Sequence, residues 1–173
     1  MKAERLPKEE FDRLPETPVE ILPFDAESKK QAYLYLDRLN EILKPHKVSA
    51  EFFGSVELEI AGKGEWEFAI WLDDANWYSM MTTLINHYKS IWFLDEEMAV
   101  FNITDEANRI EVIPMRGNAA LRNKAVMAYW RNHPDKLKEY EQFKFEFSSS
   151  KREYYRWKHN YIGDIIDSLK KVE

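Results

Sequence analysis

The chain has 173 residues, 45% of them hydrophobic and 14% aromatic, with no cysteine and a formal charge of −6. There is enough apolar material for one packed domain, which excludes a disordered or collagen-like chain, and the missing cysteine excludes a disulfide scaffold, a thiol nucleophile and a cysteine zinc site. No run approaches the ~18 consecutive apolar residues of a membrane span, and no apolar run follows the charges of residues 1–10, so the expectation is a soluble cytoplasmic protein without a secretory signal.

Residues 1–17 are polar, carry Pro7 and Pro15, and read as an exposed arm. Val19 to Leu22 reads as a short strand closed by Pro23. Asp25 is placed to cap a helix in which Ala32, Leu36, Leu39 and Leu43 recur at helical spacing, with Pro45 marking its end. Val48 to Phe53 reads as a strand stopping at Gly54-Ser55. Residues 65–72 read as another, because Trp66, Phe68, Ile70 and Leu72 alternate with Glu65, Glu67, Ala69 and Trp71. A helix is expected over 75–88, then short strands over 90–93, 98–103 and 109–113. After Pro114 the pattern turns helical over 118–132, 135–147 and 151–170. Residues 18–173 are expected to form one domain, with a sheet part over 18–115 and a helical part over 116–173.

Charge follows the same division. Residues 1–115 hold 12 basic and 23 acidic side chains, whereas residues 116–158 hold 11 basic and 5 acidic. This suits either a site with cations on one wall and phosphates on the other, or two solvated surfaces that stabilise each other's packing. The acidic balance makes a nucleic-acid partner unlikely.

Side chains alternate along a strand, so Glu65 and Glu67 point one way and Trp66 and Phe68 the other. Two neighbouring carboxylates repel; they are either solvated or useful in sharing a divalent metal. Glu111, flanked by Ile110 and Val112, adds a third. Gly54 and Ser55 offer backbone N–H groups and a hydroxyl to a phosphate. Together these suit a nucleoside triphosphate with Mg²⁺, while the plainer alternative is a wet sheet face carrying Glu57, Glu59, Glu65 and Glu67. Lys144 and Lys158 each sit inside an apolar helical stripe, and each either snorkels to water or faces a polar pocket lined with Tyr140 or Tyr154. His133 before Pro134 reads as a helix cap rather than a ligand.

Four segments resemble the GrpB family in order and spacing. They are Val19-Glu20-Ile21-Leu22-Pro23-Phe24-Asp25, then Glu51-Phe52-Phe53-Gly54-Ser55 with 61–69, then Tyr129-Trp130-Arg131-Asn132-His133-Pro134 with Tyr140 and Lys144, and finally Tyr154, Lys158, Tyr161 and Ile162. The resemblance covers roughly residues 19–169. It implies an α+β fold of the nucleotidyltransferase type: a mixed sheet of about five strands, flanking helices and a C-terminal three-helix segment. Active proteins of that fold hold a divalent metal on a nucleoside triphosphate through carboxylates. With the strand reading above, this makes Glu65, Glu67 and Glu111 the candidate catalytic metal ligands, a pair on the family's positions being recovered only if Glu65 serves in place of Ala69. It makes Gly54, Ser55, Arg131, Lys144, Tyr154 and Lys158 the candidate contacts of the nucleotide. The chain departs from the family pattern at Ser55-Val56, where a Ser-Thr pair is expected, and at Glu67 and Ala69, where two aspartates are expected. It also departs at 126–128, where an arginine is lost. A longer carboxylate displaces a bound metal, so these departures bear on activity more than on fold.

Three function classes follow. One is an Mg²⁺-dependent transferase moving a nucleotidyl group from a nucleoside triphosphate to a small molecule or protein. The second is a catalytically degenerate module that binds a nucleotide or another small phosphorylated ligand. The third is an interaction protein with no small ligand, whose Trp and Tyr residues serve packing or a homo-oligomer interface.

Overall fold

The computed structural model describes residues 6–105 and 108–170. Its elements in chain order are α1 (Lys8–Asp12), α2 (Ala26–Leu43), β1 (Ala50–Phe53), α3 (Gly54–Glu57), β2 (Glu65–Trp71), α4 (Asp74–Tyr88), β3 (Phe93–Leu94), β4 (Ala99–Asp105), β5 (Asn108–Met115), α5 (Gly117–Asn132), α6 (Pro134–Glu146) and α7 (Lys151–Leu169). The fold is α+β, with a five-stranded mixed sheet and flanking helices, as expected. None of the described helices is long and apolar enough to cross a membrane. The chain divides into two compact units, one built around the sheet (24–59 and 64–121) and one around the C-terminal helices (1–23, 60–63 and 122–173).

In the sheet unit the strand order is β1-β2-β5-β4-β3. β2 and β5 run parallel, and the other three pairings are antiparallel. A parallel pair needs a long crossover, and α4, β3 and β4 lie between the two strands in sequence. One sheet face carries Phe52, Trp66, Phe68, Ile70, Phe101 and Val112. They pack in one core with Leu39 and Leu43 of α2 and with Met80 and Leu84 of α4. Phe68 has no exposed surface, and burial of such a ring stabilises by about 2–3 kcal/mol. The Trp66 indole nitrogen donates to the Ser28 hydroxyl at 2.9 Å, so the buried ring leaves no polar atom unmet.

Asp25 does cap α2, accepting from the Glu27 N–H at 2.9 Å. The helix closes through a 3-10 turn, Lys44–His46, and Lys47 follows in the left-handed region with φ 56°. Asp73 caps α4 by accepting from the Asn76 N–H at 2.8 Å.

Several expectations are corrected. The Gly54-Ser55 turn is the start of α3. Glu57 lies on that helix and Glu59 beyond it, paired with Lys29 at 2.9 Å, so neither belongs to a wet strand face. The strand expected over 90–93 shrinks to Phe93–Leu94, and that expected over 109–113 extends to Asn108–Met115.

The strand expected at Val19 to Leu22 is a single bridge from Leu22 to Gly62. Its neighbours bond instead to the α6–α7 junction: Val19 N–H donates to the Ser148 carbonyl and Lys151 N–H to the Thr17 carbonyl, both at 2.7 Å. The N-terminal arm is not wholly exposed. α1 buries Phe11 against the His159 ring, 5.4 Å between centroids, while Arg152 holds the Leu14 carbonyl at 3.2 Å and pairs with Glu16. Residues 1–5 of that expectation lie outside the described residues.

The helical unit has an aromatic core. Trp130 stacks on Tyr140 with centroids 4.7 Å apart, Tyr140 on Trp157 at 5.3 Å, and Phe147 on Trp157 at 5.3 Å. Such pairs add about 0.5–1.5 kcal/mol each beyond area burial. Across α6 and α7 the Tyr161 hydroxyl donates to Glu139 at 3.1 Å, and Lys136 pairs with the same carboxylate at 2.9 Å. Burial, reinforced by the Glu139 bond, pushes the Tyr161 phenol well above its usual range. His133 holds the cap position of α6, yet its Nδ1 lies 2.8 Å from the Tyr129 carbonyl rather than bonding a helix N–H.

Candidate active site on the sheet face

The sheet face opposite the large core is divided along its length. Toward the C-terminal ends of β2 and β5 it is apolar, with Ala69, Ile113 and Met115 packed against Ala120 of α5. Toward their N-terminal ends it carries Glu65 and Glu67 from β2 and Arg109 and Glu111 from β5. The parallel register sets Glu65 opposite Arg109 and Glu67 opposite Glu111. Partners in such a register point to the same side, so three carboxylates and one guanidinium share one face.

The four groups do not stand alike. Glu65 Oε1 lies 3.7 Å from Arg109 Nη1, with the Glu65 side chain 13% exposed and that of Arg109 55% exposed. Glu67 turns the other way. Its Oε2 accepts from the Ser55 N–H at 3.4 Å, so the carboxylate sits at the start of α3. Gly54 makes that approach feasible: its φ of +65° suits glycine, and a Cβ there would lie 2.0 Å from Glu67 Oε2. Among the described residues no three Asp, Glu or His side chains converge as a ready-made metal cage.

The residues singled out from sequence thus fall into two groups. Gly54, Ser55, Glu65, Glu67 and Glu111 belong to the sheet unit and are brought to one face. Arg131, Lys144, Tyr154 and Lys158 belong to the helical unit. There Arg131 is exposed near the end of α5, Lys158 is half-buried on α7, and Tyr154 is 1% exposed beside Tyr155 and Trp157. Lys144 does not snorkel. It is 2% exposed, its ammonium donates to the Ala61 carbonyl at 2.6 Å and lies 5.1 Å from the Tyr140 ring centre.

Arg109 is the residue that sequence reasoning passed over. The signal was present, since Arg109 and Glu111 alternate with Ile110 and Val112. What sequence alone does not give is the register that sets Arg109 beside Glu65 from a strand 44 positions away.

As a donor set, carboxylate oxygens suit a hard divalent cation. Glu65, Glu67 and Glu111 are donors of that type on one face, with Glu65 turned to Arg109 and Glu67 to the Ser55 N–H.

No protein-family model matches the chain, and no curated protein matches it. Among solved structures it is similar to one described as "Structural Basis for the Activity of a Cytoplasmic RNA Terminal U-transferase", with 14% sequence identity and a TM-score of 0.43. The match covers 72% of this chain and 38% of that chain. A likeness of that size carries no argument about activity.

Proposed function

We propose that the protein is a nucleotidyltransferase-type protein whose sheet face takes a nucleoside triphosphate together with a divalent cation. The observation that carries this reading is the register of Glu67 beside Glu111, with Gly54 and Ser55 against the same carboxylate. Glu65, Glu67 and Glu111 are the groups that would hold Mg²⁺. When bound, the ion supplies positive charge to the phosphate oxygens of the transferring group.

The chain's own residues do the rest. Ser55 would offer its N–H and hydroxyl to phosphate, and Glu67, which now accepts from that N–H, is one of the groups that would hold the cation. Gly54 keeps that approach open, because it has no side chain. Arg109 balances part of the carboxylate charge and steadies Glu65. In the transfer itself an acceptor oxygen forms a bond to the α-phosphorus, the bond to the bridging oxygen breaks, and pyrophosphate leaves with its electron pair. The acceptor's proton passes to a carboxylate of this face or to water. Arg131, Tyr154 and Lys158 of the helical unit are nucleotide contacts only as the resemblance suggests them, and a loss of nucleotide affinity in Lys158→Ala and Arg131→Ala would support that suggestion.

The test is release of pyrophosphate from each of the four nucleoside triphosphates with Mg²⁺, in the presence of candidate acceptors. Glu67→Gln should abolish release, and turnover unchanged in that variant would remove the mechanism.

A second reading is a nucleotide-binding module without metal chemistry. It is favoured by the internal partners of two carboxylates, Arg109 for Glu65 and Ser55 for Glu67. Metal dependence of nucleotide binding separates the two.

A further inference from the structure

Lys144 is the only buried charged or polar side chain among the described residues. Burial of an ammonium group costs several kcal/mol unless a partner compensates it, and an apolar residue would fill the same volume in an aromatic core. Besides lying over the Tyr140 ring one helix turn back, it donates to the carbonyl of Ala61, 83 residues earlier in the chain. The other polar group of the same residue is held from the same helix: Ala61 N–H donates to Glu141 Oε1 at 2.6 Å. Gly62 is fixed in turn by both its N–H and its carbonyl to Leu22, at 2.9 and 2.7 Å. Within the segment 60–63 the backbone of Ala61 is thus held by α6 and that of Gly62 by the bridge to Leu22. The chain then passes through Gly64, with φ 71°, directly into Glu65 and Glu67.

We propose that Glu141 and Lys144 are positioning residues: by gripping both hydrogen-bonding groups of Ala61 they fix the segment from which the carboxylate pair Glu65 and Glu67 starts. The part concerning a cation rests on the reading of those carboxylates given above. On this view Lys144 acts through the backbone of Ala61 and does not touch a phosphate. Glu141→Gln keeps an acceptor for Ala61 N–H and preserves the grip, whereas Glu141→Ala and Lys144→Met each remove one half of it.

Amide hydrogen exchange on the full chain tests the grip, and Mn²⁺ binding tests its consequence. Glu141→Ala and Lys144→Met should speed exchange over residues 61–67 by about tenfold or more, leaving Phe101 in β4 protected. They should weaken Mn²⁺ binding by about tenfold, the usual effect of losing a group that orients a metal ligand. Glu141→Gln should stay near wild type in both readouts. Ile165→Ala, a core truncation in the same unit, should lower stability and change neither. Unchanged exchange over 61–67 in both Glu141→Ala and Lys144→Met overturns the proposal, and so does equal acceleration in Ile165→Ala. If the wild-type protein binds no Mn²⁺, the cation reading fails by itself, and the exchange pattern alone decides whether the grip exists.

Discussion

Glu67 covers Gly54 so closely that a methyl group on the glycine would lie 2.0 Å from the carboxylate oxygen Oε2. Two costs therefore meet in Gly54→Ala. The backbone is left-handed, at φ +65°, which costs a residue with a side chain about 1–2 kcal/mol. The Glu67 side chain must also leave its place at the start of α3. Chemical denaturation should show the variant less stable by at least the first amount. In a Glu67→Ala background only the backbone cost remains, so the two substitutions should be non-additive. Additive effects would mean that the two residues do not share the space described.

Lys144→Met should lower stability by about 1–3 kcal/mol, because the Ala61 carbonyl loses its donor inside the core. Thermal unfolding should register this as a fall of several degrees. An unchanged melting temperature would mean that the buried ammonium contributes nothing net.

Arg109→Gln removes the ion-pair partner of Glu65 on a face that carries two more carboxylates. The guanidinium is more than half exposed, so solvent screens the pair and the loss should be about 1 kcal/mol or less. It should shrink further at high salt. A loss that persists at high salt would mark a tighter interaction than the 3.7 Å separation indicates.

Stability should fall on the alkaline side. Burial, and then the hydrogen bond with Tyr35, pushes the Tyr88 phenol far above its ordinary value of 10.0. Burial, and then Glu139, does the same to Tyr161. Below pH 10 these groups are protonated in both folded and unfolded chains and add no pH dependence. Above it the unfolded chain loses their protons first, so folding stability declines as pH rises toward the folded values. Urea denaturation at intervals from pH 8 to pH 11 should show that decline, and it should be shallower in Tyr88→Phe than in wild type. Parallel curves would indicate that Tyr88 does not supply the slope.

Much of this architecture is legible in the sequence where the physics is local. The alternation of Trp66, Phe68 and Ile70 with Glu65, Glu67 and Ala69 marks the strand and its large-core side, but not that α5 covers Ala69 on the other side. Asp25 marks the start of α2 because a cap acts on an N–H two residues away. The failures share the opposite character. Val19 to Leu22 looks like a strand, but its backbone partners are Ser148 and Gly62, which no local pattern reveals. The arm over residues 1–17 reads as exposed because nothing local shows that His159 covers Phe11. Lys144 reads as either reaching water or facing a polar pocket, because its stripe does not show the Ala61 carbonyl that decides between them. At the carboxylate face, sequence identified Glu65, Glu67 and Glu111 together, while Arg109 required the strand register.

The most direct test of the central claim is a thermal-shift panel of ATP, GTP, CTP and UTP, each with and without Mn²⁺, on wild type and Glu67→Gln. A ligand at about 100 times its dissociation constant adds roughly 2.7 kcal/mol to the folded state. The account predicts a shift of several degrees that requires metal in wild type and disappears in Glu67→Gln. An equal shift without metal, or one that Glu67→Gln leaves intact, would contradict it.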